Sequence, residues 1–66
     1  MNKAEKKCKD MADVCELAHK RTVLECNKKG IKHTLWNKEH DETRYSARAQ
    51  VVFDRHYDRI CEVTGI

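Results

Sequence analysis

Between two long proline-free segments the chain reads Gly30-Ile31-Lys32-His33-Thr34-Leu35-Trp36. Gly30 follows Asn27-Lys28-Lys29, a basic last turn and then a residue that takes the left-handed conformation without steric cost, which is how helices commonly end. No proline interrupts residues 2–29 on one side or 37–64 on the other, and Gly65 repeats the stop signal one residue before the end. Asn37 stands as an N-cap, with Glu39, Asp41 and Glu42 bringing negative charge to the positive end of the helix dipole; Thr34 is a rival cap that draws Leu35 and Trp36 into the helix. The pattern predicts a helix over about 2–29, a loop over about 30–36 and a helix over about 37–64, within one domain over 1–66.

Periodicity supports the same reading. At about 100° per residue, Ala4, Cys8, Met11, Cys15, Ala18, Thr22 and Cys26 fall in a stripe roughly 80° wide. Tyr45, Ala49, Val52, Phe53, His56, Tyr57, Ile60 and Val63 form a second such face. A short loop between long helices makes them antiparallel neighbours. The expected fold class is all-α, an antiparallel helical hairpin. Trp36, the only tryptophan, is placed to close the loop end of its core with Ile31 and Leu35.

Size then adds a constraint. The 66 residues are 39% hydrophobic and 38% charged, with a mean hydropathy of −0.90. A chain this short and polar needs a staple, a metal or a second subunit to complete its core. The first stripe is small, while Leu17 and Leu24 lie seven residues apart on the opposite side, with Val14 toward the same flank. A two-helix hairpin buries only one side of each helix. Val14, Leu17 and Leu24, together with His56 in the middle of the second apolar face, are therefore the candidates for self-association into a four-helix homodimer.

The four cysteines weigh against the other two solutions. Cys8, Cys15 and Cys26 share one predicted helix at roughly 10 and 16 Å separation, beyond the roughly 7 Å Cα limit for a disulfide. Only Cys61 can reach another, and Cys8–Cys61 is the one bridge the hairpin allows. Spacings of six, ten and 34 residues contain no zinc knuckle, and Cys15–His19 offers only two ligands. The reading is four reduced thiols, Cys8, Cys15, Cys26 and Cys61, packed in the core, with no metal and no cofactor.

Charge is unevenly spread around the net +3. Lys3, Lys6, Lys7 and Lys9 open the chain, against the helix dipole. Arg44, Arg48, Arg55 and Arg59 project within about 60° of one another on the predicted second helix. Asp41–Arg44, Arg55–Asp58 and Arg59–Glu62 are spaced to half-neutralise that face. These lysines and arginines, with Trp36 if it is exposed, are the candidate contacts to a protein partner or, less favoured, to nucleic acid. A pI near 8.7 and the lack of a helix-turn-helix or aromatic–basic platform argue for protein first.

No nucleophile–base–orienter set and no glycine-rich phosphate loop appear, so the chain reads as non-enzymatic. The longest uninterrupted apolar run is Val51-Val52-Phe53, far below a membrane span of about 20 residues. Met1 begins the chain and no apolar leader follows, which points to an intact cytoplasmic protein. In size, in its Met1 start and in its dense mixed charge, the whole chain resembles the small accessory proteins encoded in early regions of temperate bacteriophages. That resemblance implies a regulator of the host cytoplasm that acts by contact with host or phage proteins.

Overall fold

The computed structural model describes residues 2–66. In chain order the elements are α1 (Lys3–Lys6), α2 (Met11–Lys29), β1 (Thr34–Asn37), β2 (Glu42–Tyr45) and α3 (Ala47–Thr64). Two long helices are present, but they are joined by a two-stranded antiparallel sheet. The all-α expectation is therefore corrected to a helix-rich mixed α/β fold.

The helix expected over 2–29 is broken by two caps. Asn2 and Glu5 form a reciprocal capping box at the start of α1, the arrangement that best satisfies the free N–H groups of a first turn. Asp10 then adopts an extended backbone, and its side chain accepts from the Asp13 N–H at 3.0 Å, starting a new helix. The Asp13 carboxylate in turn accepts from the Lys9 N–H at 2.9 Å. With side-chain oxygens at hand, a second start costs less than propagation through residues 7–10. The α1 turn folds back so that Glu5 meets Arg21 of α2 at 2.9 Å, with both side chains largely buried.

The second correction concerns the connection. α2 ends at Lys29, with Gly30 at φ +71° and the Ile31 N–H closing onto the Cys26 carbonyl at 2.8 Å. The chain then enters β1, where a loop was expected to run to residue 36 and a helix to begin at 37. Thr34 pairs with Tyr45, Leu35 with Arg44, Trp36 with Thr43 and Asn37 with Glu42. Thr34, Trp36, Thr43 and Tyr45 thus share one face, and β-branched and aromatic side chains suit such a pleated surface. The turn Lys38-Glu39-His40-Asp41 closes through Asp41 at φ +50°, a conformation that aspartate tolerates better than most residues. Asn37 ends a strand, and Ser46 caps α3, its hydroxyl accepting from the Ala49 N–H at 3.2 Å.

The core lies between α2 and α3. Val14, Ala18 and Ile60 are fully buried together, with Cys8, Leu17, Phe53, Tyr57, Cys61 and Ile66 packed around them. Thr22, Cys26, Ala49 and Val52 extend the buried seam, and the Thr22 hydroxyl satisfies itself on the Ala18 carbonyl at 2.7 Å. On α2 the buried stripe is Val14, Ala18, Thr22 and Cys26. Ala4, Met11 and Cys15, expected on that stripe, are exposed. Trp36 and Leu35, expected to close the core, are 59% and 47% exposed.

Ile60 is the largest fully buried side chain. Ile60→Ala should cost about 2–5 kcal/mol, and in so small a domain each kcal/mol lowers Tm by about 4–8 °C. Urea and thermal denaturation followed by circular dichroism check this. A loss below about 1 kcal/mol would show that Ile60 is not at the centre of the core.

Candidate interaction surface

Among the described residues, the ring contacts that anchor the hairpin to the helices lie at its base. The Tyr45 ring lies 5.3 Å from Phe53 and 5.7 Å from His19, and Phe53 stacks in turn on Tyr57 at 5.9 Å. The Tyr45 hydroxyl also pairs with His19 Nδ1, and burial pushes that hydroxyl's pKa up. This aromatic row fixes the base of the hairpin, where the Ser46 N–H also closes onto the His33 carbonyl at 3.1 Å. Toward the tip Leu35 and Trp36 are exposed. Leu35, Trp36, Lys38, Glu39, Arg44 and Tyr45 line an open groove there, and Arg44 is held by Glu42 at 2.5 Å. The groove carries the two aromatic rings with Lys38, Glu39 and the Glu42-paired Arg44 around them, a rim of mixed charge.

A second polar centre ties α2 to α3. Glu25 receives Arg55, Lys29 at 3.3 Å and His56 Nε2 at 3.1 Å. Partial burial pushes the Glu25 carboxyl up, but hydrogen bonds from Lys29 and Arg55 and their charges outweigh it and hold the pKa below the usual range. Glu5 is also lowered, first by its hydrogen bond from Arg21, which prevails over desolvation.

These contacts redistribute the residues singled out from the sequence. Val14 belongs to the core, Leu17 is half-buried against it, and His56 is engaged by Glu25; of the self-association set, only Leu24 is open, at 70% exposure. Leu24 and Val23 line an apolar groove on the outer side of α2 with His19 and Lys20. Val51, 68% exposed on α3, was not singled out although its place in the apolar run Val51-Val52-Phe53 marked it.

Arg44 sits on β2, so the arginine stripe of α3 is Arg48, Arg55 and Arg59. Arg44 and Arg55 pair with Glu42 and Glu25 instead of Asp41 and Asp58. Among the described residues Arg48 and Arg59 make no ion pair, and neither do the exposed Lys3, Lys6, Lys7 and Lys9. The four cysteines are free, with Cys26 buried and Cys8 and Cys61 half-buried. Cys15 departs from the expected packing, because the buried arc of α2 turns toward Val14 and leaves its thiol in solvent. Burial pushes the Cys8 thiol up.

Among the described residues no three His, Cys, Asp or Glu side chains are placed to hold a metal. Among the described residues no helix is long and apolar enough to cross a membrane. In comparisons with known proteins, no family model, curated protein or solved structure matches the chain.

Glu5 and Glu25, the ion-paired carboxylates whose pKa is lowered, set a pH dependence. Both have folded-state pKa values below the ordinary 4.5, so their stabilisation is complete above that pH and is lost as pH falls through the lower folded-state values. The urea midpoint should hold from pH 7 down to about 5 and drop below about 4.5. In the Glu5→Gln/Glu25→Gln double variant the drop should be shallower. Identical acid profiles for the two proteins would contradict the assignment.

Proposed function

We propose that this chain is a non-enzymatic interaction module that grips a partner protein at the tip of its hairpin. The observation that carries the reading is Trp36, 59% exposed beside Leu35 on a strand whose far end is fixed by Tyr45. Large aromatic side chains held rigidly at a surface supply most of the energy of protein contacts, and arginines around them add direction. Lys38 and Glu39 in the groove, with Arg44 paired to Glu42, offer both signs of charge around Trp36 to the polar rim of a partner surface. The resemblance to phage accessory proteins makes that partner a host or phage regulator met in the host cytoplasm, where four free thiols are at home.

Self-association supports the same role. The molecule measures 37 × 26 × 15 Å, so α2 and α3 form a single layer little thicker than one helix with its side chains. Leu24 and Val23 on the outer side of α2 are the surface through which we place a second copy. Sedimentation at high micromolar concentration should give a dimer for the natural chain and a monomer for Leu24→Lys; a monomer in both would remove this element.

The competing reading is a nucleic-acid regulator, favoured by the unpaired lysines at the α1 end. Lys3 and Lys7 line a groove on the side of α2 with Asp13, Glu16 and Lys20, whereas Trp36 lies in the hairpin groove with Lys38 and Arg44. The lysine cluster and Trp36 thus belong to different grooves, and the carboxylates of Asp13 and Glu16 stand among the lysines, which disfavours a phosphate track there.

Affinity capture from lysate of the encoding organism, with mass spectrometry, separates the two. Trp36→Ala should reduce the captured partner at least about tenfold, while Lys3→Ala/Lys6→Ala/Lys7→Ala/Lys9→Ala should leave it unchanged. Binding to generic DNA or RNA that falls steeply with salt, and is lost in the lysine variant, would overturn the protein-partner reading.

A further inference from the structure

Among the described residues β1 and β2 pair only with each other, so each strand has a free edge. The ladder shows which main-chain groups those edges present. The Ser46 N–H donates to the His33 carbonyl at 3.1 Å, so His33 and Ser46 form a hydrogen-bonded pair that continues the register of the strands. Hydrogen-bonded and open pairs alternate along an antiparallel ladder. Leu35–Arg44 and Asn37–Glu42 are therefore hydrogen-bonded pairs, while Thr34–Tyr45 and Trp36–Thr43 are open ones. The N–H and C=O groups of Thr34 and Trp36 accordingly point away from β2, along the outer edge of β1. On the other side, β2 runs through Ser46 into α3, which packs against it. Lys32 and Lys38, both exposed, flank β1 at its two ends, and Glu39 follows in the turn. Among the described residues neither lysine makes an ion pair.

We propose that the outer edge of β1 takes an extended segment of the partner protein as a third strand, with an acidic residue at each end of that segment. This docking mode rests on Trp36 as the partner contact and adds what lies against it. An extended main chain can answer the outward groups of Thr34 and Trp36 bond for bond, whereas a helix has used its own groups internally. The added strand sets one residue directly beside Trp36, with about 5 Å between Cβ atoms, where a β-branched or aromatic side chain packs best. Charge then selects the ends. Lys32 and Lys38 are six residues apart, roughly 20 Å along an extended chain, and carboxylates at that spacing neutralise both. A second copy is a poorer occupant. Antiparallel self-pairing about Leu35 would set Lys32 of each chain opposite Lys38 of the other, and like charges so opposed are destabilising.

Titration with the peptide acetyl-Glu-Val-Thr-Val-Thr-Val-Glu-amide, whose carboxylates share the spacing of the two lysines, tests the edge. It should change the fluorescence of Trp36, the only tryptophan, to saturation. Amide exchange should slow at Thr34 and Trp36, with Leu35 and Asn37 protected before and after. Thr34→Pro removes an outward N–H and no ladder bond, so the hairpin should persist by circular dichroism while binding weakens at least about tenfold. A probe N-methylated on alternate residues, unable to donate to β1, should lose as much against the natural chain, where folding is not in question. Lysine in place of both glutamates should weaken binding too, and Lys32→Glu/Lys38→Glu should reverse that preference. No fluorescence change, full affinity of the N-methylated probe, or equal binding of acid- and lysine-ended probes would overturn the assignment. So would a dimer of Leu24→Lys that Thr34→Pro dissolves, which gives the edge to a second copy. Partner capture that survives Thr34→Pro but not Trp36→Ala leaves the Trp36 contact standing and removes the added strand; capture that survives both removes both.

Discussion

Val14 and Ala18 of α2 meet Ile60 of α3 in a cluster closed to solvent, and the rest of the structure is arranged around that contact. The residues that continue the seam, Thr22, Cys26, Ala49 and Val52, are small or β-branched. Such a seam buries little apolar area per residue, so polar contacts reinforce it. Glu5 of α1 is clamped to Arg21, and Glu25 draws Arg55 and His56 of α3 onto α2. The hairpin adds the aromatic row from His19 through Tyr45 and Phe53 to Tyr57. With two helices in one layer, the outer faces stay wet, and this leaves Leu24 and Val51 exposed, while Trp36 is exposed on the hairpin.

The helices were legible in the sequence because their signals are local. Gly30 and Gly65 sit at positive φ just beyond α2 and α3, and the α3 face read from its period contains the buried Ala49, Val52 and Ile60. The two structural corrections come from short elements. Asn2-x-x-Glu5 and Asp10-x-x-Asp13 are cap patterns visible in the sequence, but an unbroken run without proline reads as one helix unless caps are weighed against propagation. The strands are four residues each, too short for a strong alternation signal. Thr34, Trp36, Thr43 and Tyr45 did alternate, while the acids Glu39, Asp41 and Glu42 imitated a helix start.

The candidate site was legible in part. Trp36 could be named as an anchor only on the condition of exposure, which depends on where the hairpin overhangs. The rotation of the α2 face could not be read from its own period. α1 folds onto the Arg21 side of α2, and the buried arc shifts toward Val14, leaving Cys15 in solvent. Glu25 and Arg55 are 30 residues apart, so their pairing follows from tertiary register and not from helical spacing. The same holds for Tyr57 and Met11, 46 residues apart.

Native-state hydrogen exchange tests most directly whether the α2–α3 contact carries the fold. If it does, amides of residues 14–26 and 49–60 exchange slowest and together, by global opening. Those of α1 and of the hairpin strands should exchange faster through local opening, with Trp36 and its strand released before the helices separate. Hairpin amides protected as strongly as the helical seam, or α2 amides that exchange independently of α3, would contradict it.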